Sequence, residues 1–395
     1  MSLSVPLPQP SDEALGRAGV SYWEYDSFFG PADVIIVGAG LVGLSTAIYV
    51  KEQRPDWRVV VLERGVLPAG ASTKNAGFAC FGSVSELLEQ EKRGNLLAVV
   101  EARWQGLRRL RELVGDVAMR YEAVGNYEVF RAEEAELARA CLHRLAYFDE
   151  LLEPVIGTSR VYHDATYRAA EFGFRGVHTI IANVHEGALD AGRMMTVLLR
   201  RAQTAGVAVL TGCGVAALEA GPGGSVAVQL SCGPTMRAEQ VVVATNAFAP
   251  ELLPDLDVTP GRGQVLVTAP IADLAPWPGP IHYDRGYTYA RVLPGNRILL
   301  GGGRHLDLAA EATTQPGLTE PVQAYLEGLL TGMLLPDRPA PPIDYRWSGV
   351  MAFGPALEPV IQWVRPGVLA AVRCNGMGVA LGASIGWRAA HLLTT

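Results

Sequence analysis

The sequence predicts an α/β protein. A mostly parallel sheet, assembled from separated stretches of chain, is interrupted by inserted α+β segments that carry a mostly antiparallel sheet. Three observations predict it. Short apolar, β-branched runs end in small-residue turns at three distant places: Val34–Val37, Val241–Val243 and Val368–Val372. Between them, Ser83–Val114 and Ala132–Leu152 carry apolar residues at helical spacing with many Glu and Arg, as amphipathic surface helices do. From Val265 to Arg304 short strands alternate with Gly/Pro/Asn turns such as Pro294-Gly295-Asn296, the pattern of antiparallel pairing.

The first run feeds directly into Gly38-x-Gly40-x-x-Gly43 and a small-residue helix, Leu44–Lys51. A second apolar run, Val59–Leu62, ends in Glu63, twenty residues after Gly43. Each part has a mechanical role in a dinucleotide site. Gly38 permits the tight turn, Gly40 lets a pyrophosphate approach the backbone, and Gly43 lets helix and strand pack closely. The helix N-terminus offers unpaired N–H groups to phosphate, and Glu63 can accept from ribose hydroxyls. A lone glycine turn in an ordinary βαβ unit is the alternative; strand, helix and acid in register favour the nucleotide.

At 395 residues the chain is long enough for two domains with ample core. A net charge of −7 and no basic stripe with interleaved aromatics tell against a nucleic-acid partner. Lys51, Lys74 and Lys92 are the only lysines. Five cysteines without Cys-x-x-Cys suit neither a disulfide framework nor a zinc site, and the histidines show no metal spacing. No metal is expected. A reducing cytoplasm is the simplest setting. The Pro-rich start, Met1–Glu13, has neither the basic nor the apolar region of a signal peptide. The longest uncharged stretch, Val34–Val50, is about a turn short of a membrane span.

In order, residues 1–30 read as a leader, with Ser21–Tyr25 expected to pack on the body. Residues 31–82, 185–258 and 345–395 are assigned to the nucleotide domain, and 83–184 and 259–344 to the inserted, substrate-binding domain. Asp190 is a plausible N-cap for a helix running to about Thr204, and Gly206 ends it. Leu306–Leu335 is expected to be mostly helical. Asn375-Gly376-Met377-Gly378 opens a terminal helix reaching Leu393.

Four segments together resemble the D-amino-acid oxidase superfamily of FAD-dependent oxidoreductases, which includes sarcosine oxidase-like, glycine oxidase-like and glutamylputrescine oxidoreductase-like enzymes. They are the βαβ unit; Gly70–Gly77; His185–Asp190 with the elements leading to Ala244–Ala247; and Trp347-Ser348-Gly349 with Pro359 and Asn375–Gly378. The resemblance spans nearly the whole chain. It implies a discontinuous Rossmann-like FAD-binding domain, with FAD held non-covalently. The cofactor contacts it implies are Gly38, Gly40, Leu41, Val42, Gly43, Glu63 and Arg64; Ser72, Thr73, Lys74, Asn75, Ala76 and Gly77; Val215, Ala244, Thr245 and Asn246; and Gly349, Asn375, Gly376, Met377 and Gly378. Backbone N–H groups at Gly376–Gly378 would face the flavin's pyrimidine edge, where charge builds on reduction. The alternative there is an ordinary glycine turn.

Substrate residues are less determined. Many amino-acid-oxidising relatives carry an arginine on the strand beginning at Trp347; this chain has Met351 there. Relatives with a cysteine-linked flavin place the tether where this chain has Val350 and Met351. A substrate carboxylate would need another cation, from Arg262, Arg285, Arg291 or Arg373. Lys74 is a candidate for contact with the flavin or with superoxide, or is a loop lysine near the phosphates. Tyr287 and Tyr289 read as sharing one face of a strand, either as a wall of the amine site or as core. The implied activity is oxidation of a small amine or amino acid by hydride transfer to flavin N5, with imine hydrolysis and reoxidation by O2 to H2O2. Alternatives are a dehydrogenase using a quinone or carrier protein, a flavoprotein module without turnover, and an NAD-dependent enzyme. Oligomeric state is left open.

Overall fold

A computed structural model describes residues 19–275 and 277–395; the Pro-rich start lies outside the described residues. Ser21 caps a short helix, Tyr22–Glu24, through a reciprocal capping box. Its aromatics stand out from the body instead of packing on it, Tyr22 at 69% and Trp23 at 73% exposure.

The chain then forms β1 (Ala32–Val37), α1 (Leu41–Gln53) and β2 (Val59–Glu63). A short helix, Ala71–Lys74, leads to β3 (Phe78–Ala79), α2 (Val84–Arg93) and α3 (Leu96–Val114). Next come β4 (Asn126–Arg131), α4 (Ala135–Ile156), β5 (Tyr162–Asp164), β6 (Val177–Asn183) and β7 (Gly187–Ala188). The chain returns through α5 (Ala191–Thr204), β8 (Ala208–Thr211), β9 (Val215–Ala220), β10 (Val226–Leu230) and β11 (Thr235–Val243). It leaves again through β12 (Thr259–Thr268), β13 (Ile281–Tyr283), β14 (Thr288–Leu293), β15 (Arg297–Gly302), α6 (Glu320–Leu329) and β16 (Ile343–Phe353). It closes with β17 (Val360–Arg365), β18 (Val368–Val372) and α7 (Gly378–Thr394).

Two sheets result. The first runs β17-β18-β11-β1-β2-β8, with β10 and β9 as an antiparallel extension from β11. Its four inner pairings, β18–β11, β11–β1, β1–β2 and β2–β8, are parallel. Val37 pairs with both Leu62 and Val243, so three strand ends finish at one edge, where ligands of open α/β sheets bind. One face packs on α1, α3, α5 and α7; the other is filled by Ile35, Val37, Val60 and Leu62 with β9, β10 and β11.

The second sheet runs β16-β12-β15-β14-β13-β4-β6-β5 and is antiparallel except for β13–β4. The α/β class and the mostly antiparallel insert agree with the sequence reading. Two elements differ. β16 hydrogen-bonds to β12 along Thr259–Thr268, so residues 345–353 belong to the antiparallel sheet and not to the parallel one. The segment after Leu306 is irregular up to Thr319. Helix begins only at Glu320, because Glu311 there anchors loop backbone and side chains instead of lying on a helix face.

Among the described residues, no helix is long and apolar enough to cross a membrane. No group of His, Cys, Asp and Glu among them is placed to hold a metal ion.

Candidate cofactor and substrate site

The glycine turn is built as its spacing requires. Gly38 has φ +105 and donates to Leu62 O at 2.7 Å; a Cβ on it would meet Ala244 O at 2.9 Å. A Cβ on Gly43 would lie 1.9 Å from Gly38 O, so helix and turn touch backbone to backbone. Gly40 is the N-cap of α1, and Leu41 N donates to Ser72 Oγ at 2.9 Å. Val42 is buried behind it. Glu63 accepts from Ala39 N at 3.1 Å and from Gly65 N at 2.9 Å; a carboxylate has further lone pairs for ribose hydroxyls.

Arg64 lies 3.8 Å over the Phe248 ring and pairs with Glu251. A Cβ on Gly214 would meet Arg64 Cβ at 3.4 Å, which brings the segment with Val215 to the same corner. Ala244 and Thr245 abut Gly38. Thr245 Oγ1 is buried with no hydrogen-bond partner, a free polar group beside the turn. Asn246, at φ +50, accepts from Arg373 N at 3.3 Å.

Helix α7 runs parallel to α1 because small residues let it. A Cβ on Gly382 would meet Leu41 Cδ2 at 2.1 Å, and one on Gly386 would meet Ser45 Cβ at 2.6 Å. The register keeps both N-termini at the same end, with α7 starting about one turn further out. Two sets of unpaired N–H groups therefore face one region. Asn375 and Gly376 both take positive φ, +49 and +79, and Met377 caps α7 ahead of Gly378.

Two of the expected cofactor residues, Asn75 and Asn375, have side chains hydrogen-bonded within the protein. Asn75 donates to Ser72 O at 2.7 Å and accepts from Gly77 N at 2.8 Å, so its side chain holds the 71–77 loop. Asn375 donates to Ala356 O and Leu357 O and accepts from Gly354 N, holding the loop after β16. Thr73 likewise bonds Pro68 O at 2.5 Å. These side chains shape the site; what they leave for a cofactor is mainly backbone. Gly77, at φ +74, packs so tightly on Leu189 that a Cβ would lie 2.1 Å from its carbonyl oxygen.

The second sheet meets this region along β16. Trp347 Nε1 donates to Lys74 O at 2.9 Å, and a Cβ on Gly349 would meet Lys74 Cβ at 3.2 Å. Cross-strand partners share a face, so Gly261 with Met351, Gly263 with Gly349 and Val265 with Trp347 all point the same way. Gly301 pairs with Val265, and Tyr289 with Gly301. The result is a glycine-floored face on which Phe353 lies over Gly261, Met351 over Gly263 and Tyr289 over Gly301. Phe353 Cε1 and Met351 Sδ would lie 3.8 and 3.9 Å from a Cβ on Gly376, which ties this face to the start of α7.

Tyr289 and His282 flank Phe78, with ring centroids 5.5 and 5.1 Å from it. Burial pushes the Tyr289 hydroxyl up to about 12 and His282 down to about 4, so both are neutral near pH 7. Tyr287 does not share the strand. It sits before β14 in a turn whose Asp284, Arg285 and Gly286 have positive φ, and it is 37% exposed.

Arg291 Nη1 donates to Leu189 O at 2.8 Å, Gly77 O at 3.0 Å and Ala76 O at 3.3 Å, while its Nε is buried without a partner. Arg262 is paired with Glu311, and Arg373 donates to Asp257 O and Glu358 O. Arg285 is exposed. The sequence reading missed Phe78, His282, Phe353 and Arg304; of these only Arg304 had a local signal, its place after Gly301-Gly302-Gly303.

The model of the FAD dependent oxidoreductase (DAO) family matches residues 33–392. The chain belongs to that family. It is an FAD-dependent oxidoreductase, and the bare Gly38 turn, the unpartnered Thr245 hydroxyl and the paired helix N-termini fit the cofactor. The chain is 26% identical over 253 residues to the bifunctional protein ThiO/ThiG of Synechocystis sp., covering 62% of this chain and 35% of that protein. It thus spans about a third of that relative's length. Among solved structures, glycine oxidase from Geobacillus kaustophilus superposes with TM-score 0.71 at 21% identity, covering 92% of this chain and 94% of that one. L-Proline dehydrogenase from P. horikoshii superposes with TM-score 0.73 at 16% identity, over 92% and 94% of the chains. At these identities the likeness shows the shared fold.

Proposed function

We propose that this protein oxidises the carbon–nitrogen bond of a small amine or amino acid on non-covalently held FAD. The observation that carries the reading is the convergence of the Gly38 turn, the paired starts of α1 and α7, and the face of β16 and β12 where Phe353, Met351 and Tyr289 lie over Gly261, Gly263 and Gly301 beside Lys74. When bound, FAD would supply the acceptor for the hydride leaving the substrate carbon and the route for those electrons to O2, giving H2O2 and an imine that water hydrolyses. The backbone N–H groups at Gly376–Gly378 would stabilise the negative charge that builds at the pyrimidine edge of a reduced flavin. Phe78, Tyr289 and Met351 exclude water and orient the substrate. His282, neutral near pH 7, suits an amine that enters deprotonated. The Ser72–Gly77 loop and Gly38–Gly43 hold the cofactor mainly by backbone.

The names of the similar structures, glycine oxidase and L-proline dehydrogenase, support a carbon–nitrogen substrate. The second also favours the other reading, a dehydrogenase that passes electrons to a quinone or carrier. Free cysteines throughout suit a cytoplasmic setting. The test is an anaerobic flavin-bleaching screen of amines, N-methyl amino acids and D- and L-amino acids, followed by oxygen uptake with the best substrate. Bleaching with H2O2 production supports an oxidase; bleaching without oxygen uptake supports the dehydrogenase. A flavin-loaded enzyme that nothing in the panel bleaches overturns both.

A further inference from the structure

We propose that Arg304 is the anion anchor of the substrate site, so that the molecule oxidised here carries a carboxylate as well as its nitrogen. The inference rests on the amine-oxidation reading and names the substrate class within it.

Arg304 follows β15 through two glycines at positive φ, Gly302 at +124 and Gly303 at +79, which turn the chain sharply at the edge of the glycine-floored face. A Cβ on Gly303 would lie 3.0 Å from Val322 Cγ1, so the turn is seated against α6. His305, the next residue, bonds Asp284 Oδ2 at 3.1 Å and packs against the rings of Tyr287 and Tyr325. The position of Arg304 is thus fixed on both sides.

Its guanidinium lies on the Phe353 ring, 4.0 Å from the centroid, and 5.8 Å from the centroid of Tyr287. Its Nη1 is 3.4 Å from where a Cβ on Gly261 would stand. Phe353 is the same ring that approaches Gly376 at the start of α7. The cation therefore stands on the substrate face, within reach of the cofactor end.

What sets Arg304 apart is the absence of an acid. Among the described residues no carboxylate or carbonyl receives it, whereas Arg262, Arg291 and Arg373 are each held by protein oxygens. Burial pushes Arg304 below its usual range, and the guanidinium remains charged. A half-buried cation without a counter-ion is costly unless a ligand supplies one. Among the described residues the N–H groups of Arg304 make no hydrogen bond to a protein oxygen, so its fork of donors is available to a ligand. That fork matches a carboxylate bidentately. Met351 on β16, whose Cε lies 3.0 Å from where a Cβ on Gly263 would stand, adds no competing cation to this face.

The experiment uses the FAD-loaded enzyme and its R304Q and R304K variants, checked for folding by their flavin spectra and melting temperatures. Acetate, propionate and benzoate are titrated against acetamide, propionamide and benzamide, and dissociation constants are read from the perturbed visible spectrum of the oxidised flavin. Wild type is expected to bind each carboxylate at least about tenfold more tightly than its amide. R304Q should lose that preference, and R304K should keep only part of it, because an ammonium lacks the fork. A wild type without the preference overturns the proposal, and so does R304Q with the preference intact. Failure of the amine-oxidation reading shows separately, as a flavin that carboxylates perturb but no amine reduces.

Discussion

A Cβ placed on Gly43 would lie 1.9 Å from the carbonyl oxygen of Gly38. No side chain, however small, fits between the first turn of α1 and the glycine turn without moving one of them. Gly43→Ala is therefore expected to displace the N-terminus of α1 and cut bound FAD well below one per chain. Flavin-to-protein absorbance ratio and the FAD dissociation constant measure this. An alanine variant purified with full flavin content would contradict it.

That part of the site was legible because every link in it is local: strand, turn, helix and Glu63 lie within about thirty residues in an order only close packing explains. The substrate face was not. Gly261 and Gly263 read as ordinary glycines until β12 is paired with β16, and one step of register would turn them to the opposite face. Arginines show the same limit. Nothing in spacing distinguishes Arg291, held by three carbonyls, from Arg304, which has aromatic neighbours and no acid. Asn75 and Asn375 are expected at the cofactor, and their side chains hold the 71–77 loop and the loop after β16, contacts set by backbone geometry that spacing does not show.

Arg291 bridges the second sheet to the loop that follows Ala71–Lys74, and this makes it a structural clamp. Its loss would leave buried carbonyls at Ala76, Gly77 and Leu189 short of a charged donor. Arg291→Met is expected to cost on the order of 3 kcal/mol of stability. Chemical denaturation of the flavin-loaded protein reads this. A clamp leaves the carboxylate-over-amide preference of the folded variant unchanged; a direct substrate contact would abolish it.

Lys74 has no side-chain hydrogen bond or ion pair among the described residues, while its backbone is fixed by Trp347 and its Cβ abuts Gly349. A free ammonium there would stabilise superoxide forming beside a reduced flavin. Under the oxidase reading, Lys74→Met should slow the reaction of reduced enzyme with O2 by about tenfold or more. Anaerobic reduction by substrate should change little. Stopped-flow spectroscopy separates the two half-reactions, and an unchanged oxygen rate would assign Lys74 to the phosphates or to solvent.

Glu186 is buried behind β3, where its Oε1 accepts from Phe81 N at 2.7 Å and Gly82 N at 2.9 Å. Burial outweighs these bonds and pushes its carboxyl up to about 8; Glu128, in the same cluster, is pushed up to about 7. An unfolded glutamate titrates near 4.3. Between that pH and about 8 the folded chain keeps a proton that the unfolded chain has released. The unfolded state binds fewer protons, so stability falls as pH rises across this window. Glu186→Gln removes the proton but keeps an oxygen to accept both amides. Its melting temperature should therefore fall less between pH 5.5 and 8.5 than that of wild type, by about 2–4 °C. Glu128 still titrates in the variant, so a residual slope remains near pH 7. Parallel melting curves for the two proteins across that range would show that Glu186 is ionised in the folded chain.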